Sequence, residues 1–166
     1  HRVDIADLTV SGTFTISNQT FTSPFDDEVV AHANACPTDQ IIVIFNNWSF
    51  PGGVAIENFA AVNRKSNNQI RSLAPHEFGH SFGNLDDEFV YGFKPIWPET
   101  NCSKFQNDPP WKNYPGTSVY KGCRDSNWFR SSENSLMRIS GDFAQDPNGF
   151  KPWNIKLLTD KLNKYR

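Results

Sequence analysis

No stretch of the chain is apolar for long enough to cross a bilayer. The longest run, Ile41-Ile42-Val43-Ile44-Phe45, is strand-sized, against the roughly 20 residues a spanning helix needs. Basic excess is missing as well: Lys and Arg number 16 against 18 Asp and Glu, a net charge of −2 with no basic stripe, so no nucleic-acid partner is expected. Internal repeats and low-complexity tracts are absent. Hydrophobic residues at 37% and charged residues at 20% exclude both a disordered tail and a membrane protein. Cysteine is scarce, at positions 36, 102 and 123, and methionine occurs once, as Met137.

What remains is a chain of 166 residues, sized for one compact domain with a real core, expected as a single unit over 1–166 and as a monomer. Its aromatic content of 14% suits long loops pinned by large side chains. Cys102 and Cys123 share one polar, loop-like region, where a disulfide in an oxidising compartment would restrain the chain. Cys36 reads as a small hydrophobe at a helix end. The glycosylation sequons at Asn18, Asn47 and Asn101 are short enough to arise by chance. The first residue is His1 and no signal pattern precedes it, as expected of a mature or excised form of a secreted protein.

Alternation over residues 2–10 before Ser11-Gly12 predicts a first strand and turn. The acidic triplet Asp26-Asp27-Glu28 predicts a helix start, closed by Cys36-Pro37. The β-branched run at 41–45 predicts a buried central strand, Gly52-Gly53 a turn, and residues 59–62 a further strand. A helix follows at about 72–82. Ser72 as its N-cap would put Pro75 in the first turn, where a missing N–H costs nothing, and Gly83-Asn84 would end it. Periodicity fades over 89–134, which reads as a long irregular segment. A last helix is expected at about 153–164, with Ile155, Leu158 and Leu162 on one face.

The chemistry concentrates in His76-Glu77-Phe78-Gly79-His80. Histidines four apart on a helix share a face and can reach one ion, with Glu77 beside them to act as base toward a metal-activated water. Five residues alone can match by accident. Gly83, three residues on, and the acids Asp86-Asp87-Glu88 after it add a sharp turn and a third ligand, the H-E-x-x-H-x-x-G-x-x-D spacing of metzincins with Asp in place of the third His. Met137, about fifty residues downstream and ahead of a final helix, fits a Met-turn beneath the metal; by itself it would be an ordinary core methionine. Strict spacing selects Asp86 as third ligand.

The run from His76 to Phe89 resembles the IgA-peptidase family of bacterial metzincin-like zinc peptidases, whose motif reads H-E-F-G-H-S-F, two variable positions, L, one variable position and D-E-Y. The resemblance continues softly from the strand at 41 through Asn101-Cys102, Trp111-Lys112 and Gly122-Cys123 to Met137 and the last helix. Pro75 and Phe89 depart from it. It implies a twisted mixed sheet in an α/β upper half (about 1–83), a long irregular lower half (about 84–166), and an α+β metzincin-like zincin overall. It also moves the third ligand to Asp87, leaving Asp86 as the alternative and Glu88 as a remote third.

The expected activity is therefore hydrolysis of peptide bonds in extracellular or cell-surface protein by a secreted, bacterial zinc endopeptidase, with one Zn2+ on His76, His80 and Asp87 and with Glu77 as base. An extended substrate would add a strand along residues 46–55, and Tyr91, Tyr114 or Tyr120 could supply an extra donor to the oxyanion. Two other readings compete. A catalytically silent zincin fold that binds protein or glycan would have no use for Glu77, and a purely structural zinc site favours four Cys or His ligands with no open position.

Overall fold

The computed structural model describes residues 13–16, 19–22, 31, 40–45, 52–63, 67–92, 94–97, 99–138 and 149–165. The strand at 2–10 and its turn, most of the first helix, Cys36, the sequons at Asn18 and Asn47 and the segment 46–51 lie outside these residues. Among those described, the protein is a mixed α+β fold of small sheets and two helices. A hairpin pairs β1 (Thr13–Ile16) with β2 (Gln19–Thr22). The next sheet takes β3 (Ile41–Phe45), β4 (Gly53–Ile56) and β5 (Phe59–Asn63) in the order β3-β5-β4, parallel between β3 and β5 and antiparallel between β4 and β5.

The β-branched run is not the centre of this sheet. Its central strand is β5, buried at every position, while β3 lies at an edge of the described sheet with Ile42 and Ile44 exposed. Ala60 and Ala61 have no exposed surface, and their small side chains let the helix that follows come close to the strand. A β-branched run reports strand propensity, whereas position in a sheet depends on which neighbours the chain recruits.

That helix, α1 (Asn67–Ser81), packs on β5 and β4. It starts five residues earlier than expected, so Ser72 is not its cap and Pro75 sits in its interior. The missing Pro75 N–H leaves the carbonyl of Arg71 without its helical donor. Packing of α1 against two strands outweighs that local loss, as tertiary contacts commonly do for propensity. The predicted end stands: Phe82, Gly83 and Asn84 donate back to Phe78, Gly79 and His80, and Asn84 adopts φ 52, a left-handed conformation that asparagine tolerates.

The 89–134 segment is less irregular than its sequence implies. It contains a second three-stranded sheet, ordered β6-β8-β7, from β6 (Cys102–Ser103), β7 (Tyr120–Cys123) and β8 (Asp125–Arg130). β6 has only two residues, both buried, and β7 and β8 are polar and partly exposed with a bulge between Lys121 and Cys123, so none carries a clean period of two. Cys102 and Cys123 form a disulfide with Cα atoms 5.6 Å apart. Trp111 is fully buried and donates to Ser118 O at 2.8 Å, and Trp153 donates to Thr100 O at 2.8 Å, so indoles do pin the loops.

A 3-10 turn at Leu136–Arg138 precedes α2 (Pro152–Leu162). The expected apolar face of α2 is not the buried one. Ile155 and Leu162 are each about half exposed, and the buried residues are Trp153 and Asn154 near the start. Leu158 does turn inward, against Gly83. The helix is anchored by one indole and one amide rather than by an aliphatic stripe.

Replacing both Cys102 and Cys123 by serine opens a loop of sequence separation 21. The unfolding free energy should fall by roughly 3 kcal/mol, a drop of about 6–12 °C in Tm, measured by calorimetry beside the wild type with and without reductant.

Candidate metal centre

His76 and Glu77 are buried on α1, and His80 lies one turn on. After the reversal at Asn84, Asp86, Asp87 and Glu88 project toward different partners. Only Asp87 turns back to the helix. Its Oδ1 lies 3.1 Å from His76 Nε2 and 3.2 Å from His80 Nε2, and the two Nε2 atoms are 3.1 Å apart.

Each imidazole is oriented through its other nitrogen. His76 Nδ1 is 2.9 Å from Leu136 O and His80 Nδ1 is 2.6 Å from Leu85 O, and a carbonyl can only accept. Both Nδ1 atoms therefore carry the proton, and a neutral ring presents a lone pair at Nε2. Asp87 Oδ1 is buried and accepts no hydrogen bond among the described residues. Three acceptor atoms so close together repel one another unless a positive charge lies among them. Their spacing is also close to the ~3.3 Å that separates ligands around a tetrahedral ion with bonds of ~2.0–2.1 Å. The donor set thus fits a divalent cation, and His76, His80 and Asp87 form a possible His/Asp metal site.

Asp86 is elsewhere. Fully buried, it accepts from Ile96 N and Trp97 N at 2.8 Å each and pairs with Arg124 Nη1 at 3.0 Å. Asn101 clamps its backbone, accepting from Asp86 N and donating to Asp86 O at 2.7 Å each. This rules Asn101 out as an accessible sugar acceptor. Glu88 is an anchor too: its carboxylate meets Ser135 Oγ at 2.6 Å, Asn154 Nδ2 at 3.1 Å and Asn101 Nδ2 at 3.2 Å, and its N–H donates to Met137 O at 2.7 Å. Burial pushes the Glu88 carboxyl up against those bonds.

Glu77 lies beside the cluster and is pressed by β4. A Cβ on Gly53 would come within 2.5 Å of both Glu77 Cγ and Oε1. Gly53 is thus part of the strand rather than of a turn, and its bare Cα makes room for this carboxylate. Burial pushes the Glu77 carboxyl up to about 7, with His76 opposing and Asp87 reinforcing the shift. Met137 is fully buried beneath α1, where a Cβ on Gly79 would meet its Sδ at 2.6 Å. Of the three tyrosines, the hydroxyl of Tyr91 is committed to Asp87 Oδ2 at 2.9 Å, Tyr114 packs edge-on against Trp153, and Tyr120 lies under Arg130. The contributions of Gly53, Asn101, Arg124 and Tyr91 carry no distinctive spacing in the sequence. The Gly52-Gly53 pair is the one visible trace of them.

Residues 13–139 match the family described as IgA Peptidase M64, more than half of the chain. The chain belongs to that family. Members are peptidases, a hydrolase class, and M64 peptidases are metallopeptidases, so a protein substrate follows from membership. No curated protein matches the chain. Among the described residues of this M64 family member, no helix is long and apolar enough to cross a membrane.

Asp87→Ala should lower zinc affinity by more than the roughly 10–100-fold that outer contacts carry. Asp86→Ala should instead cost about 3–5 kcal/mol of stability, because Arg124 is left as an unpaired, mostly buried charge, with a smaller effect on zinc. Competition titration with a chromophoric chelator and thermal unfolding separate the two residues; a reversed order would assign the third ligand to Asp86.

Proposed function

We propose that this M64 family member is a metzincin-type zinc endopeptidase, secreted into an oxidising space, with His76, His80 and Asp87 holding the ion and Glu77 acting as general base and acid. The observation that carries the reading is the convergence of two imidazole lone pairs and one unpartnered carboxylate oxygen, 3.1–3.2 Å apart, next to a buried glutamate. Two His and one carboxylate leave an open coordination position, which distinguishes a catalytic from a structural site. When bound, zinc supplies Lewis acidity, lowering the pKa of water to about 7 and polarising a carbonyl.

The chain's own residues account for the rest. Glu77 takes the proton of the attacking water and delivers it to the departing amide nitrogen. Its proton affinity suits both halves of that transfer, since burial raises the carboxyl to about 7. Gly53 keeps β4 close enough to hold Glu77 in one position. Among the described residues β4 has β5 as its one strand neighbour, so its other edge can pair with an extended peptide and present a scissile bond alongside Glu77. Met137 supports α1 from below as the Met-turn residue. The Cys102–Cys123 disulfide supports the extracellular assignment.

Glu77→Gln should slow cleavage of casein or a quenched fluorescent peptide by roughly 10²–10⁴-fold while zinc content stays at one per chain. Loss of zinc in that variant would make Glu77 a ligand and sink its role as base. Gly53→Ala forces Glu77 to move, and kcat should drop by up to about 10²-fold with zinc retained. An unchanged rate would show that the base is not seated against β4.

A further inference from the structure

Asp87 has two oxygens, and they are treated differently. Oδ1 faces the imidazoles and accepts no hydrogen bond, while Oδ2 accepts the Tyr91 hydroxyl at 2.9 Å. Tyr91 is itself held from several sides. Its ring packs on Phe89 at 4.9 Å and lies under the Arg124 guanidinium at 5.0 Å, and its N–H donates to Arg124 O at 3.1 Å.

Arg124 is a firm platform. It sits between β7 and β8 at φ 57, next to the disulfide at Cys123, its N–H donates to Phe89 O, and its side chain pairs with Asp86. Both disulfide sulfurs lie 3.8 Å from Asp87 O, so the same hairpin also abuts the ligand's own backbone.

We infer that Tyr91, seated on Arg124, is a positioning residue that makes Asp87 a one-oxygen ligand by occupying Oδ2 and leaving Oδ1 for the cation. A carboxylate free at both oxygens can swing to bind through both and crowd the position a substrate needs. A fixed hydrogen bond on one oxygen removes that option and preserves four-coordination. Tyr91 would thereby set geometry and affinity without touching substrate. This rests on the metal-site reading above.

The test uses the whole chain, loaded with zinc for affinity and with cobalt for its visible spectrum. Tyr91→Phe keeps the ring and its packing and removes only the hydroxyl. Zinc should bind roughly 10–100-fold more weakly, and the cobalt bands should lose intensity as coordination rises above four, with the metal-free melting temperature close to that of the wild type. Arg124→Met, which removes the platform, should shift the cobalt spectrum the same way. Unchanged zinc affinity and an unchanged cobalt spectrum in Tyr91→Phe would overturn the inference, as would a lower melting temperature accompanied by a wild-type spectrum. A wild type that takes up neither metal would instead overturn the reading of the site itself.

Discussion

Much of the described chain after α1 bears on one electrostatic problem, the placement of a carboxylate against two imidazole nitrogens in a site largely shut off from water. Three acceptors at 3.1–3.2 Å from one another repel, and a cation among them would offset that repulsion. The fold has to hold this arrangement against the repulsion that would spread it. A helix can deliver the two histidines because four residues make about one turn. The carboxylate comes from beyond the helix, and so depends on a reversal at Asn84 and on whatever grips the chain afterwards.

That grip comes from the neighbours of Asp87. Asp86 gathers the backbone of Ile96 and Trp97 and pairs with Arg124, while Glu88 ties the segment to Ser135, Asn101 and Asn154. The three consecutive acids therefore divide the labour: the middle one faces the histidines and its neighbours are anchors pointing away. Both anchors are fully buried and well supplied with donors, as buried carboxylates must be. The disulfide, β7–β8 and the start of α2 are the outer frame that keeps those donors in place, and β4 and β5 meet them through α1.

Legibility followed the range of the interactions. The helix end at Gly83-Asn84, the shared face of His76 and His80, and the existence of the last helix are set by neighbours a few residues apart, and all were readable. Position within a sheet was not: β3 carries the stronger strand sequence, yet β5 is the buried one, because α1 packs on β5 and β4. The start of α1 was not readable, because the local cost of Pro75 argues against a helix interior that packing on two strands nonetheless permits. The strands around Cys123 were not readable either, because partly exposed polar strands have no hydrophobic alternation to show.

The sequence by itself determined the donor types, the helical spacing of two of them and the presence of a turn that returns an acid to the site, since those follow from backbone geometry over a dozen residues. Family resemblance leaned toward Asp87 over Asp86, and residue spacing alone leaned the other way. Only tertiary structure gathers Asp87 with the two histidines and gives Asp86 to Arg124 and Asn101, which lie 38 and 15 residues from it. It alone placed Gly53 against Glu77 and Tyr91 under Arg124. Contacts between distant segments leave no periodic mark in a chain, because their partners are chosen by packing in three dimensions.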